Sequence, residues 1–428
     1  MKVLVIGAGG REHALCWALR KSRTVSKLRC APGNAGIARD AELVAIPPGA
    51  VDGLVEHAAE ERYDLVVIGP EVPLVEGLAD RLAQRGISAF GPSRAAARLE
   101  GSKAFSKEFM ARHGIPTAAF RVFDAAGEAV AWLRSSEARY PLVVKADGLA
   151  AGKGVVLCDG AEVAVGAVRT MMVERAFGDA GARIVIEEHL SGREASFFVL
   201  CDGRRFVDLA PCQDYKRAMD GDVGPNTGGM GTYSPSAYLD GAIRDAVLRD
   251  AVAPTIDGLA AEGTPYCGVL FVGLMLTADG PKVLEYNCRF GDPEAQVLLP
   301  RLQGDWAEVL AACASGNLRG VKLSWRADAA VCVVLASGGY PGEYTRGHEI
   351  AGLDDAERVE GTVVFHAGTA RGADGRLRTA GGRVLGVTAL GSDLRAARDR
   401  AYSAASRIRW SGMHHRTDIA LDAIGRTS

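Results

Sequence analysis

Glu285, Asn287 and Arg289 sit two residues apart in the run Val283-Leu284-Glu285-Tyr286-Asn287-Cys288-Arg289-Phe290-Gly291-Asp292-Pro293-Glu294. Side chains alternate across an extended chain, so a strand here aims a carboxylate, an amide and a guanidinium at one place. Leu284, Tyr286 and Cys288 are then expected to pack on the opposite side, and Gly291-Asp292-Pro293 to end the strand with two further acids, Asp292 and Glu294. A carboxylate plus an amide oxygen is a hard-cation ligand set. Mg2+ keeps several waters and takes one or two protein oxygens when substrate phosphates complete its shell, which suits a nucleotide-phosphate metal site. The polar face of a half-exposed edge strand has the same pattern, so these residues alone leave both readings open.

A second chemical signal lies in Leu142 to Val156, where Lys145 closes an apolar run and Gly148, Gly152, Lys153 and Gly154 follow. Glycines let backbone amides close over phosphate oxygens while lysines supply charge, although a hairpin with a solvated tip reads the same way. The spacing is not that of a P-loop, because Gly154 stands where Ser or Thr would bind Mg2+. Ile184 to Leu190 is an apolar run ending in Glu187 and Glu188, with His189, Leu190 and Glu194 following. Such a segment offers groups to an adenosine, or is a plain strand end. At the N-terminus, Gly7-Ala8-Gly9-Gly10-Arg11-Glu12 begins like a dinucleotide fingerprint but places Glu12 where a small residue belongs. The second strand ends in Cys30-Ala31-Pro32-Gly33 without a ribose-binding acid, which disfavours NAD. The glycine turn still offers N–H groups to a small anion. His189, His414 and His415 lack metal spacing and are read as structural or exposed.

These groups need a scaffold. Residues 1 to about 100 alternate short β-branched runs (3–6, 27–30, 65–68) with helical stretches, the pattern of a doubly wound parallel sheet, and Gly69 to Pro73 is expected as a loop at its ligand-binding edge. A helix is expected from Ser102-Lys103 to about Gly114. Strands over 268–276 and 281–289 are joined at Thr277-Ala278-Asp279-Gly280, where Asp-Gly signals a hairpin. Residues 211–235, rich in Gly and Pro, are expected as a long irregular loop covering substrate. A last unit from about 325 mixes strands (330–335, 363–366, 383–389) with a helix near 394–408. The fold class is therefore multidomain α/β and α+β.

The chain has 428 residues, too many for one ordinary core. Its formal net charge of −2 gives no reason to expect a nucleic acid or an anionic membrane as partner. Nine cysteines without a CxxC pair, several in apolar runs, are expected as reduced, mostly buried thiols. The first apolar run stops at Gly7, too short for a signal sequence, so the expected location is cytoplasmic.

Taken together, Gly7 to His13, Gly69 to Leu74, Gly101 to Phe105, Lys145 to Gly154, Pro225 to Gly231 and Asn287 to Glu294 resemble the ATP-grasp superfamily and, within it, the phosphoribosylamine-glycine ligase family. Asn-Cys-Arg-Phe-Gly-Asp-Pro-Glu is the most specific of these segments. One departure from the wider superfamily is that residues 271–276 carry no additional metal-binding acid. The resemblance implies a doubly wound N-terminal domain (1–100), a two-part ATP-grasp domain (101–325, with a mobile lid at about 122–190) and a small C-terminal domain (326–428). It implies ATP and Mg2+ or Mn2+, with Glu285 and Asn287 on the metal. Lys103, Lys145, Lys153, Gly152 and Gly154 then face the phosphates, and Glu187, Glu188, His189, Leu190 and Glu194 hold adenosine. Arg289 would hold a glycine carboxylate and Asp214 its ammonium. Gly9, Gly10, Glu71 and Asp292 would hold phosphoribosylamine, with Arg383 on its phosphate. A monomer or small homo-oligomer is expected. The rivals are a carboxyaminoimidazole ribonucleotide synthetase, which takes bicarbonate, a nicotinamide-dependent oxidoreductase, and a nucleotide-binding regulator without turnover.

Overall fold

Strand Lys2–Gly7 lies at the centre of a five-stranded parallel sheet. Lys27–Pro32 and Glu42–Leu43 lie on one side, and Leu65–Ile68 and Ser88–Phe90 on the other. The computed structural model describes residues 1–150, 154–239 and 241–424. The strand order reverses beside Lys2–Gly7, so the ends of this strand and of Leu65–Ile68 open the crevice in which doubly wound sheets take ligands. Gly9 and Glu71 stand at its mouth. Glu71 is not in the expected loop: it opens a short helix, Glu71–Val75, because extended Pro70 sets up its first turn.

Two antiparallel sheets follow. One orders Phe120–Phe123, Ile184–Glu188, Leu142–Ala146 and Val155–Cys158. Helices Ala126–Leu133 and Ala161–Val168 close a separate core over it around Phe123, Leu133, Val144 and Met171. The other orders Phe206–Asp208, Arg193–Asp202, Cys267–Thr277 and Gly280–Asn287. Here the expected hairpin forms, with Thr277 paired to Gly280 and Gly280 at a positive φ of 111°.

The strand read over residues 283–294 differs in two ways. It ends at Asn287, and its pairing slips between Gly273–Glu285 and Leu274–Val283, so one extra residue bulges outward. Leu284 is that residue. It stays half-buried, and Val283 takes the core position expected of it beside Tyr286 and Cys288.

Residues 211–235 are not an irregular loop. They form four short strands, Gln213–Asp214, Arg217–Met219, Val223–Asn226 and Gly231–Ser234. Gly231–Ser234 pairs with Ala329–Ala336, and together with Gln213–Asp214, Arg383–Gly391 and Thr362–His366 they make a five-stranded sheet backed by helix Leu394–Ala405. Arg217–Met219 and Val223–Asn226 form a local hairpin, whereas local composition could not show the five-stranded sheet, because Gly231–Ser234 pairs with the distant Ala329–Ala336. All nine cysteines are free, eight of them buried.

Leu270, fully buried on Cys267–Thr277, packs in the core shared by the first and second thirds of the chain. Leu270→Ala is expected to cost about 2–5 kcal/mol and to lower the urea midpoint followed by circular dichroism.

Candidate functional site

The site is assembled around a buried lysine pair. Helix Lys103–Arg112 begins at Ser102, whose Oγ accepts from the Phe105 N–H at 3.1 Å and donates to Asp147 Oδ1 at 2.8 Å. Asp147 also accepts from the N–H groups of Lys103 and Ala104, which pins the helix start to the end of strand Leu142–Ala146. Lys103 therefore reaches the Gly148 carbonyl at 3.2 Å. One turn on, Lys107 shares the same helix face. Its Nζ meets Glu187 Oε2 at 3.1 Å, and Lys145 Nζ meets the same oxygen at 2.9 Å.

Pairing explains the second contact: Val143 lies opposite Glu187, so Lys145 is its diagonal neighbour on one face. Glu187 thus meets two cations with Oε2, while its Oε1 is buried without a partner. Of the others expected to hold adenosine, Glu188 accepts from the Ala119 N–H at 3.0 Å, His189 is exposed, Leu190 is buried, and Glu194 binds Lys216 at 2.8 Å. Gly152 and Lys153 lie outside the described residues. Gly154 packs against Ala150 and Ala146 so closely that a Cβ would sit 2.7 Å from the former.

Across from the lysines, Ser196, Gly273 and Glu285 form one row over three strands. Gly273 has no side chain to cover Glu285, whose Cγ would lie 3.3 Å from a Cβ there. Although burial opposes its charge, Lys216, Lys145, Lys103 and Arg289 hold Glu285 below the ordinary carboxylate range. The described residues bring it no hydrogen-bond donor, so the ionised oxygens are free for a hard cation. Asn287 adds an amide oxygen that accepts from Arg289 Nη2 at 3.2 Å. Among the described residues no group of three or more His, Cys, Asp or Glu forms a metal cage. The donor set therefore fits Mg2+ or Mn2+ held by two protein oxygens and completed by phosphate.

Arg289 joins this chamber to the parallel sheet. Its Nε meets Glu71 at 3.2 Å and its Nη2 meets Glu100 at 3.1 Å. Glu100 also accepts from the Cys288 N–H at 2.6 Å. Burial pushes Glu100 up, whereas at Glu71 burial is outweighed by Arg289 and Arg11 and the carboxyl is held low. Asp214 accepts from Ser196 Oγ at 3.1 Å, and burial pushes its carboxyl up against the pull of Lys216. Glu294, only 3% exposed, is pushed up to about 8 by burial, with Asp214 adding to the effect. Burial likewise works against Lys216, but Glu194, Asp214 and Glu285 hold it well above the lysine range.

Beside Arg289 the glycine turn meets Asp292. The Arg11 N–H donates to Asp292 Oδ2 at 3.3 Å and Gln296 to Oδ1 at 2.9 Å. A Cβ at Gly9 would stand 3.0 Å from Asp292, and one at Gly10 2.4 Å from Gln296. The anion place expected at this helix start is filled by the protein itself: the Gly9 N–H donates to Glu12 Oε2 at 2.6 Å. The Arg383 side chain is 21% exposed, less than a solvated strand-end arginine would be. Its Nη1 donates to the carbonyls of Gly228 at 2.6 Å and Asp292 at 2.5 Å, so it secures that loop beside the site.

The structure therefore gathers Lys103, Lys145, Glu187, Glu194, Asp214, Glu285, Asn287 and Arg289 in one chamber, with Gly9, Gly10, Glu71, Asp292 and Arg383 adjoining. Sequence reasoning missed Lys107, Lys216, Glu100, Arg11 and Gln296. Of these, Lys107 alone carried a local signal, four residues after Lys103 on a helix.

A parallel sheet beside two antiparallel sheets that converge on a lysine-lined, carboxylate-bearing chamber defines an ATP-grasp protein. The chain matches the N domain of phosphoribosylglycinamide synthetase over residues 1–100, its ATP-grasp (A) domain over 101–295 and its C domain over 330–422. It belongs to this family, the phosphoribosylamine-glycine ligases. It is 52% identical over 425 residues to the phosphoribosylamine-glycine ligase of Caulobacter vibrioides, covering 99% of each chain. The crystal structure of the Thermotoga maritima phosphoribosylamine-glycine ligase superposes with a TM-score of 0.85 at 35% identity, over 98% of this chain and 100% of that one. At 17% identity, fold alone is shared with the biotin carboxylase domain of a Hydrogenobacter thermophilus 2-oxoglutarate carboxylase solved with MgADP, with a TM-score of 0.73 over 100% and 98% of the two chains.

Glu294 gives a pH test. Its folded value of about 8 lies above the ordinary 4.5, so the folded chain holds a proton that the unfolded chain releases. That stabilisation is complete below the lower value and lost as pH rises through the upper one. The thermal midpoint of the wild type should fall between about pH 5 and about pH 8, and Glu294→Gln should flatten the fall. An equal fall in both proteins would contradict the assignment.

Proposed function

We propose that this chain is an ATP-dependent ligase that joins glycine to 5-phospho-D-ribosylamine through glycyl phosphate, releasing ADP and phosphate and giving glycinamide ribonucleotide in de novo purine biosynthesis. One observation carries the reading: Arg289 stands between the Glu285–Asn287 oxygens and the Glu71–Asp292 side of the parallel sheet, so two chemically different half-sites meet at a single guanidinium.

Among the described residues Lys103, Lys107 and Lys145 have one directly paired acid, Glu187, and a triphosphate would add negative charge beside them. Glu285 and Asn287 would hold Mg2+ or Mn2+, which would supply charge neutralisation at the terminal phosphates. Arg289 takes the glycine carboxylate through its planar fork, and Asp214, with Glu294 near it, takes the ammonium. The glycine carboxylate oxygen attacks the γ-phosphorus and ADP leaves. The phosphoribosylamine nitrogen then attacks the glycyl carbonyl, phosphate leaves, and the nitrogen gives up a proton. Gly9, Gly10, Glu71 and Asp292 receive phosphoribosylamine, and Arg383 orders the Gly228 loop over its phosphate. Residues 122–190 act as the lid of an ATP-grasp domain spanning 101–325, between domains at 1–100 and 326–428; their separate core supports motion as a unit. Closure keeps water from the acyl phosphate.

We place the enzyme in the cytoplasm as a monomer or small homo-oligomer, without a nucleic-acid or membrane partner. Among the described residues no helix is long and apolar enough to cross a membrane. The match to all three domains of one family weighs against a carboxyaminoimidazole ribonucleotide synthetase.

Phosphate release with ATP, glycine and fresh phosphoribosylamine should vanish when any one is omitted; release driven by bicarbonate instead would overturn the substrate assignment. Glu285→Gln should lower ADP formation by ~100-fold or more at modest Mg2+, and undiminished turnover would remove Glu285 from the site.

A further inference from the structure

Lys107 is more enclosed than Lys145, its side chain being 2% exposed against 10%. Among the described residues its ammonium meets two groups that lie on different parts of the chain. One is Glu187 Oε2 at 3.1 Å, near the end of strand Ile184–Glu188. The other is Thr117 Oγ1, to which Lys107 Nζ donates at 2.7 Å. Thr117 passes the contact on, because its own hydroxyl donates to the Val283 carbonyl at 2.6 Å. A buried ammonium that left either acceptor would lose a strong bond without regaining water, so these contacts hold their owners together.

Both partners stand where residues 122–190 leave and rejoin the rest of the chain. Residues 116–119 lead into strand Phe120–Phe123, and Ile184–Glu188 leads out. The two crossings are tied to each other: the Glu188 N–H donates to the Ala119 carbonyl at 2.9 Å, and Phe120 pairs with Glu187. They are also tied to the strand that carries Glu285. The Val283 N–H donates to the Pro116 carbonyl at 2.8 Å, and Thr117 lies parallel beside Val283. Gly280–Asn287 is an edge strand of its sheet, so its outer side is free to take residues 116–117. Val283 is the last paired residue before the bulge at Leu284, two places from Glu285. A bulge re-aims the side chains beside it, so fixing Val283 fixes the aim of that carboxylate.

We propose that Lys107 is a positioning residue, a pin that holds both crossings of the lid against strand Gly280–Asn287 and so sets the separation between the phosphate-binding lysines and Glu285. This rests on the reading of residues 122–190 as a lid and of Glu285 as a metal ligand. Lys145 shares the Glu187 oxygen at 2.9 Å, so contacts run unbroken from Lys145 through Glu187, Lys107 and Thr117 to Val283. A phosphate on Lys145 and a cation on Glu285 must meet at one distance, and a side chain reaching neither of them sets it.

The test measures ADP binding to the full-length protein by calorimetry, with and without Mg2+, beside steady-state kinetics. It uses wild type, Lys107→Met, Thr117→Val, Thr117→Ser and the double variant of the first two. Mg2+ should tighten ADP in the wild type, and Lys107→Met and Thr117→Val should each reduce that tightening about fivefold or more. Each should lower kcat about tenfold or more, with metal-free ADP affinity and the KM for ATP kept within about twofold. Thr117→Ser, which keeps the hydroxyl, should match the wild type. The double variant should be no weaker than Lys107→Met, since both changes break one chain of contacts. Thr117→Val decides the matter where Lys107→Met does not fold. Equal weakening of metal-free and Mg2+-bound ADP by Lys107→Met would make Lys107 a direct phosphate ligand and overturn the proposal. So would additive losses in the double variant, a wild-type Mg2+ effect in Thr117→Val, or no tightening by Mg2+ in the wild type. Absence of glycine-dependent ADP formation in the wild type would count against the ligase reading, while the calorimetric comparison would still decide on Lys107.

Discussion

A guanidinium held by carboxylates from separate parts of the chain is the constraint on which the site depends. Arg289 follows the strand Gly280–Asn287, Glu71 begins a helix at the edge of the parallel sheet, and Glu100 lies in the short helix Arg98–Gly101. Arg289 and Glu100 form a mostly buried pair, and removing one partner of such a pair leaves a poorly compensated charge at a cost of about 3–5 kcal/mol. The pairing therefore fixes how the carboxyl edge of one sheet faces the end of another.

The lysine side of the chamber obeys the same logic with the signs reversed. Glu187 answers Lys145 and Lys107 with one oxygen, while its other oxygen is buried without a partner. Lys107 is drawn down to about 8 by its burial, and Lys103 is lowered for the same reason. A cluster of cations this poorly hydrated is prepared for a polyanion, and its strength comes from low local dielectric more than from the number of charges. On the opposite wall Asp214 and Glu294 are acids short of a cation, as Lys216 is already shared with Glu194 and Glu285.

Much of this was legible in the residues. Alternation in Glu285-Tyr286-Asn287, the Asp279-Gly280 turn and the β-branched runs at 3–6 and 65–68 are local signals, and the elements they announce are present. The bulge at Leu284 was not legible, because it depends on register with Gly273. Nor were the strands within 211–235, whose glycines and prolines suit a loop until a partner is supplied. Glu12 stood out as a departure from a dinucleotide fingerprint, and its purpose showed only in three dimensions, where it caps its own helix. Lys216 and Glu100 became visible once burial was known, since an isolated Lys or Glu in sequence is ordinarily solvated.

The sharing of strands between the middle and the end of the chain has a consequence for how such a protein can be divided. Gln213–Asp214 and Gly231–Ser234 owe their sheet to Ala329–Ala336, so the Asp214 carboxylate is positioned by residues more than a hundred places downstream. A fragment cut near 325 would retain the nucleotide clasp but release that carboxylate onto a frayed ribbon. The placing of Asp214 is thus a property of the uncut polypeptide, and recombination that exchanges the terminal third carries part of that placing with it.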